Sequence, residues 1–403
     1  MALLAGACAA ASAPPVARRK QRALADFGAV GDGRVDDTRA IAHALQASAA
    51  EGLLIKGRRD ARYRVSATGR KQFLSPDGGT HVRSYALDVP DGAAIDFGFG
   101  RLFGAAGDVL LCNRQPLLDS DRVHVHNAVL DGEGGRGPLA IFMGCRDSAI
   151  AGLSFTNVVE NAAIFAALEA CDVGSLAARN VTGTAIMLGG NSVYQLHRCR
   201  LGDFRTADIR SLGTYHQPGN PIVIGATDCT VRSISARNCA GGIKFTANCA
   251  RIRCGPLSFD GLPASRNLER FASQNSGIKV QGDSIEAQAV DISIEAVVSR
   301  HCDGAGLFIK HARRVNLGQY LGVDNSRLGL DADVHCEAAD AVNIGTLASR
   351  YGGYLALYAG PGMGGMSARE VLVTTRRTGE MIAKRSGDLQ LELVKIVRSG
   401  KHP

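Results

Sequence analysis

The sequence predicts an all-β chain wound as a single-stranded parallel β-helix, a solenoid closed at its N-terminal end by one α-helix. Three observations predict it. A strand frame recurs along the chain at a spacing of about one solenoid coil. Each copy alternates apolar and polar residues, so one face of every strand is buried. Ahead of the repeat lies a Gly-rich turn followed by a short amphipathic helix.

The helix comes first in the chain. Arg39-Ala40-Ile41-Ala42-His43-Ala44-Leu45 follows Asp26-Phe27-Gly28-Ala29-Val30-Gly31-Asp32-Gly33-Arg34-Val35-Asp36-Asp37-Thr38. Ile41, Ala44, Leu45 and Ser48 fall at i, i+3, i+4 and i+7, a narrow apolar-to-small stripe suited to a lid. Asp36 or Asp37 is placed to cap the helix and to sit at the positive end of its dipole. The glycines at 28, 31 and 33 do not follow the order of either common nucleotide fingerprint, and three aspartates beside them would repel a phosphate.

The stretch from Asp26 to Thr38 closely resembles the N-terminal DFGAxGDGxxDDT signature of the pectate-lyase-like right-handed β-helix superfamily. That superfamily includes pectate and other polysaccharide lyases, polygalacturonase-like hydrolases, uronan epimerases and phage tailspikes. The resemblance implies a right-handed solenoid whose first coil is plugged by the helix. It names a fold and leaves the reaction open.

The repeat frame is read in Ala149–Asn157, Val173–Asn180, Val231–Asn238, Ile292–Arg300, Val315–Gly318 and Val342–Arg350. Asn157 to Asn180 is 23 residues and Val315 to Val342 is 27. Two coils are longer, with the extra residues at 211–222 and 258–275. Val89–Asp96 and Ala128–Gly134 are read as the first coils. Residues 23–403 are therefore expected to form one domain, because solenoids grow as a continuous unit. Residues 1–22 read as a leader or disordered tail. Their apolar run and Ala11-Ser12-Ala13 look like the back half of a secretion signal without its basic start, so a secreted or periplasmic location is expected.

The 403 residues carry a net charge of +8, no Trp and 49 glycines. A basic surface suits polyanions, and no nucleic-acid-binding motif is found. No apolar stretch is long enough to span a membrane. Eleven cysteines is an odd number. They sit mostly in apolar coil positions, as buried thiols do, and no zinc spacing is present.

The second strand of each coil carries the informative charge, read as 207–210, 242–246, 277–281, 307–311 and 328–333. Stacking at about 4.8 Å per coil converts sequence register into spatial columns. Lys244 and Lys279 are expected to stand outward in one column. Thr246, Gln281, Lys310 and Asp331 form a second column, and Asp208 and Arg210 border the Lys244 end. Two ammonium groups about 5 Å apart disfavour double protonation, so one pKa should fall. A lysine lowered in this way can remove the proton α to a uronate carboxylate while its neighbour neutralises that carboxylate. The loop containing Tyr215 and His216 is a second candidate for acid and base, as the resemblance to Tyr-using lyases and epimerases implies. The loop 262–267 is placed to wall the other side of the groove.

These residues imply a lyase or C5-epimerase acting on a uronate-containing acidic polysaccharide. Lys244, Lys279, Tyr215 and His216 are its candidate catalytic groups, with Asp208, Arg210, Gln281, Lys310 and Asp331 as substrate contacts. A polygalacturonase-like hydrolase is the first alternative, since Asp331 and Asp333 lie roughly 6.6 Å apart along a strand, within range of an inverting pair. The clustered aspartates and Gly-His-Gly of that family are missing. A non-catalytic glycan-binding or tailspike-like scaffold is the second alternative. No cofactor is evident; the same two aspartates suit Ca²⁺. A monomer is expected, with a homotrimer as the alternative.

Overall fold

The computed structural model describes residues 19–74, 79–104, 109–113, 120–190, 194–212, 219–261, 276–327, 329, 331–376, 379–385 and 388–398. The chain is a right-handed parallel β-helix. Each coil contributes one long strand to a first sheet and one short strand to a second. The long strands include Ala149–Val159, Arg200–Arg210, Ala289–Arg300, Ala312–Val323, Asp340–Arg350 and Gly365–Thr375. The second sheet has 13 strands among the described residues. Every neighbouring pair in it is parallel except an antiparallel hairpin, Gly69–Leu74 against Thr80–Val89, at one end.

Stacking puts like side chains over like. Ile294, Leu317, Ile344 and Ala368 form one inward column, and Val297, Tyr320, Leu347 and Val371 another. All eight are at most 4% exposed. One apolar cluster runs the whole length, from Leu24 to Met381. Each buried Leu, Ile or Val side chain contributes about 1.5–3 kcal/mol, so the core is assembled coil by coil. The ten described cysteines are all unpaired and buried. Cys171 and Cys199 sit in register in that interior, one residue before Asp172 and Arg200, which pair.

Long strands bend where one residue takes a left-handed backbone conformation. Asn157, Asn180, Asp208 and Asn238 do so with φ of 55–58°, a region that Asn and Asp tolerate better than other non-glycine residues. Their side chains form a ladder: Asn180 Nδ2 donates to Asn157 Oδ1 at 2.7 Å, and Asn238 Nδ2 donates to Asp208 Oδ1 at 2.7 Å. Each such bond is worth about 1 kcal/mol net. In these coils the Asn or Asp near the end of the strand therefore sets the corner. His301 and Tyr351, by contrast, hold the left-handed conformation one residue past the repeats that end at Arg300 and Arg350.

The cap helix spans Thr38–Glu51 and buries Ile41, Ala44, Leu45 and Ser48, the stripe read from the sequence. Ser48 Oγ accepts from the Ala94 amide at 2.8 Å, tying the lid to the coil beneath. Of the two capping candidates, Asp36 accepts the first helix amide and Asp37 does not. Asp37 holds the N-cap position but its carboxylate turns back to accept the Val30 and Gly31 amides at 2.6 and 3.0 Å. Asp36 instead accepts the Thr38 amide at 2.9 Å. The two carboxylates divide the work of closing the turn and starting the helix. Replacing Leu45, which is wholly buried, by Ala should lower the urea unfolding free energy by about 2–5 kcal/mol. Replacement of the exposed Arg39 should move it by less than about 0.5 kcal/mol.

Candidate active site on the second sheet

The outer face of the second sheet divides into two parts. In the column Ile141, Ile164, Met187, Val223, Lys244, Lys279, Phe308, His335, Tyr358 each residue pairs with the next. Ile141, Ile164 and Met187 belong to a second apolar cluster with Phe73 and Tyr85 of the antiparallel hairpin. From Lys244 onward the same face becomes polar and aromatic. Lys244 to Tyr358 covers four coil steps, roughly 19 Å, enough to lie along an extended polymer.

Lys244 and Lys279 are in register on neighbouring strands, Ile243–Phe245 and Ile278–Gln281, as the repeat frame predicts. Lys244 is half-buried; Lys279 is 4% exposed. Burial pushes the Lys279 ammonium down, the Lys244 charge adds to it, and the result is a pKa of about 7. Lys244 is lowered too, by burial, with Asp283 opposing the shift. Burial outweighs mutual repulsion as the cause at Lys279, which sequence reasoning put the other way round.

The adjacent column reads Gln281, Lys310, Glu337. Lys310 Nζ meets Glu337 Oε1 at 2.5 Å. His335 stands between Phe308 and Tyr358, with ring centroids 5.1 and 4.8 Å away in edge-on geometry. Its Nδ1 bonds the Asp331 carboxylate, and Nε2 lies 3.4 Å from Glu337 Oε2 without hydrogen-bond geometry. Burial would lower the His335 pKa, but Asp331 and Glu337 outweigh it and raise it. Glu337 shows the mirror effect: burial would raise it, and Lys310 with His335 holds it low.

Several predicted placements are corrected. Asp208 and Arg210 lie on the long strand Arg200–Arg210 of the first sheet, where Asp208 is a corner residue bonded to Arg179 and Asn238. The second-sheet strand of their coil is Ile222–Ile224, reached only after the insertion that follows Arg210. Asp331 is not the next member of the Gln281–Lys310 column; Glu337 is, because the strand begins at Ala332. Asp331 instead orients His335. Asp333 is wholly buried and accepts from Tyr320 Oη and, at 2.8 Å, from Asn325 Nδ2, so the expected outward carboxylate pair does not form. Tyr215, His216 and the loop 262–267 lie outside the described residues. His335, Phe308, Tyr358 and Glu337 were missed as site residues, although an alternating Val334-His335-Cys336-Glu337 after a corner was the available signal.

Among the described residues no group of three His, Cys, Asp or Glu side chains is placed to hold a metal ion. A cleft of about 520 Å³ on the first-sheet side is lined by Asp228, Arg251, Arg253, Asp291, Ser293 and Asn316. Its two carboxylates are committed to arginines, Asp228 to Arg251 and Asp291 to Arg314. The titratable cluster on the second sheet is the better chemical candidate.

The fold is a right-handed parallel β-helix. Neither a protein-family model nor a curated protein matches the sequence. Among solved structures, the chain is similar to bacteriophage phi29 gene product 12 in its pre-mature form. The identity is 12%, the TM-score 0.59, and the match covers 93% of this chain and 56% of that one. It is also similar to the A-module of the Azotobacter vinelandii mannuronan C-5 epimerase AlgE4, at 14% identity and TM-score 0.45, covering 94% and 100%. A third is the Yersinia enterocolitica family 28 exopolygalacturonase, at 10% identity and TM-score 0.47, covering 93% and 78%. At these identities the likeness speaks for the fold alone.

A depressed Lys279 pKa has a thermodynamic consequence. Between about pH 7 and the ordinary lysine value, the unfolded chain binds the proton that the folded chain releases. Stability then rises with pH across that window and is lost as pH falls toward 7. Urea midpoints at pH 7.5 and 9.5 should therefore shift more favourably with pH in the wild type than in Lys279→Met. Equal shifts in the two proteins would mean that folding leaves the Lys279 pKa at the ordinary lysine value.

Proposed function

We propose that this β-helix is a polysaccharide-active enzyme that removes the proton α to the carboxylate of a uronate residue, as a lyase or a C5-epimerase. The register of Lys244 and Lys279 on the second sheet carries this reading. Abstracting a proton next to a carboxylate creates a carbanion that is far too high in energy unless the carboxylate is neutralised. Lys244, the more exposed amine, is assigned to the carboxylate. Lys279, beside it with a pKa near neutrality, is assigned as the base, since a general base works best with a pKa near the working pH. Its 4% exposure requires the sugar to seat directly over it, where little water competes.

Phe308, His335 and Tyr358 continue the same column and are assigned to neighbouring sugars. The charges of His335 and Lys310 are balanced by Asp331 and Glu337, so this part of the face offers ring contacts and hydrogen bonds to the sugars. A hydrolase would need two carboxylates flanking the bond. Asp333 faces the interior, and both Asp331 and Glu337 are committed to cations.

The test is a panel of acidic polysaccharides read for ultraviolet-absorbing unsaturated ends and for new reducing ends. A lyase gives both, and Lys279→Met should lower the rate at least a hundredfold. Lys244→Met should reduce it while also raising KM. Reducing ends without unsaturation would replace this reading with hydrolysis. Binding at the same face with no product of any kind would replace it with a scaffold role.

A further inference from the structure

The outer face of the second sheet holds its charge unevenly. Lys244 makes no ion pair among the described residues; Asp283 acts on it through space. On the N-terminal side of the two lysines the column is apolar, with Val223 and then Met187. On the C-terminal side three cationic groups are answered one for one. Lys310 pairs with Glu337 at 2.5 Å and Arg327 with Asp303 at 2.9 Å, and His335 bonds Asp331. These six groups cancel with His335 protonated and leave a surplus negative charge with His335 neutral. Aromatic surface takes over here instead. Three of the eight tyrosines, Tyr351, Tyr354 and Tyr358, fall in one coil. Tyr351 and Tyr354 are exposed at the corner ahead of the strand Leu355–Ala359. Tyr358 stands on that strand, edge-on to His335.

We propose that the substrate is a heteropolysaccharide in which the uronate reacting at Lys244 and Lys279 is followed, toward Tyr358, by uncharged sugars; this rests on the proton-abstraction reading above. A pyranose in an extended chain spans roughly one coil spacing, about 4.8 Å. A homouronan with one carboxylate at Lys244 would then set further carboxylates over Phe308, His335 and Tyr358, the next members of the column. Those carboxylates would arrive where Lys310 and His335 are already bonded to Glu337 and Asp331. Each would lose hydration without gaining a cation, and would be repelled by the two acids. Uncharged pyranoses suit the same surface. Their hydroxyls can donate to Asp331 and Glu337, and their apolar ring faces can lie against tyrosine. The single carboxylate that the chemistry requires is met at Lys244, and the rest of the chain is held by rings and hydrogen bonds.

The test sets each homouronan of the panel beside its partly carboxyl-reduced form, which keeps the linkage and turns most uronates into neutral hexoses. Polymers with one uronate per repeat unit are run with them. The kcat/KM per uronate, read as H5 exchange or unsaturated ends, is expected to rise at least about tenfold on carboxyl reduction. Glu337→Gln, which frees the Lys310 ammonium, should shrink that preference about threefold. Should this variant fail to fold, Tyr358→Ala should raise KM about tenfold more on the reduced polymer than on its parent homouronan. A homouronan turned over as fast as its reduced form, or faster, overturns the proposal and leaves the proton-abstraction reading standing. Neither exchange nor unsaturation on any polymer overturns both.

Discussion

Everything in this molecule depends on coils stacking in register at a spacing of about 4.8 Å. A parallel ladder satisfies the backbone, but it also forces each side chain to live directly above and below its counterparts. Inward columns answer with aliphatic residues, so Ile294, Leu317, Ile344 and Ala368 share one line of burial. Corners answer with Asn and Asp, which accept the left-handed backbone and bond one another across coils. At the N-terminal end of the described coils the stack is plugged by a helix whose apolar stripe matches the first coils.

The same constraint turns electrostatics into a matter of register. A lysine placed over a lysine cannot relax away without abandoning its strand, so repulsion and burial are held together at Lys244 and Lys279. Elsewhere the fold compensates charge at one coil step, as with Lys310 over Glu337 and Arg251 over Asp228. Against that background two amines stacked in register are costly, and a costly arrangement on an outer face is where chemistry is sought. Next to it, Asp331 fixes the ring of His335 between two aromatic side chains. The polar stretch starts where the hairpin-covered apolar cluster of the same face ends.

Much of this was legible in the sequence because period and alternation are themselves the fold's instructions. Ile41, Ala44, Leu45 and Ser48 declared the buried side of the helix, and the Lys244–Lys279 column followed from counting between repeats. The reading failed where an insertion broke the count. After Arg210 the chain runs on before the next short strand, so the charged Asp208–Arg210 segment was assigned to a sheet to which the apolar Ile222–Ile224 belongs. The corner around Asn325 shifted the next frame likewise, so Glu337 follows Lys310 in the column where a leucine frame had pointed to Asp331. The depth of Lys279 was not legible, because burial depends on what packs over a strand and not on its period.

Proton exchange at the reacting carbon bears most directly on the central claim, that the Lys244–Lys279 face abstracts a proton next to a uronate carboxylate. Proton NMR of acidic polysaccharides incubated with the protein in deuterated buffer reads it. The account predicts loss of the H5 signal on one uronate type, with or without chain cleavage, and retention of that signal with Lys279→Met. Chain shortening with H5 fully retained would contradict it.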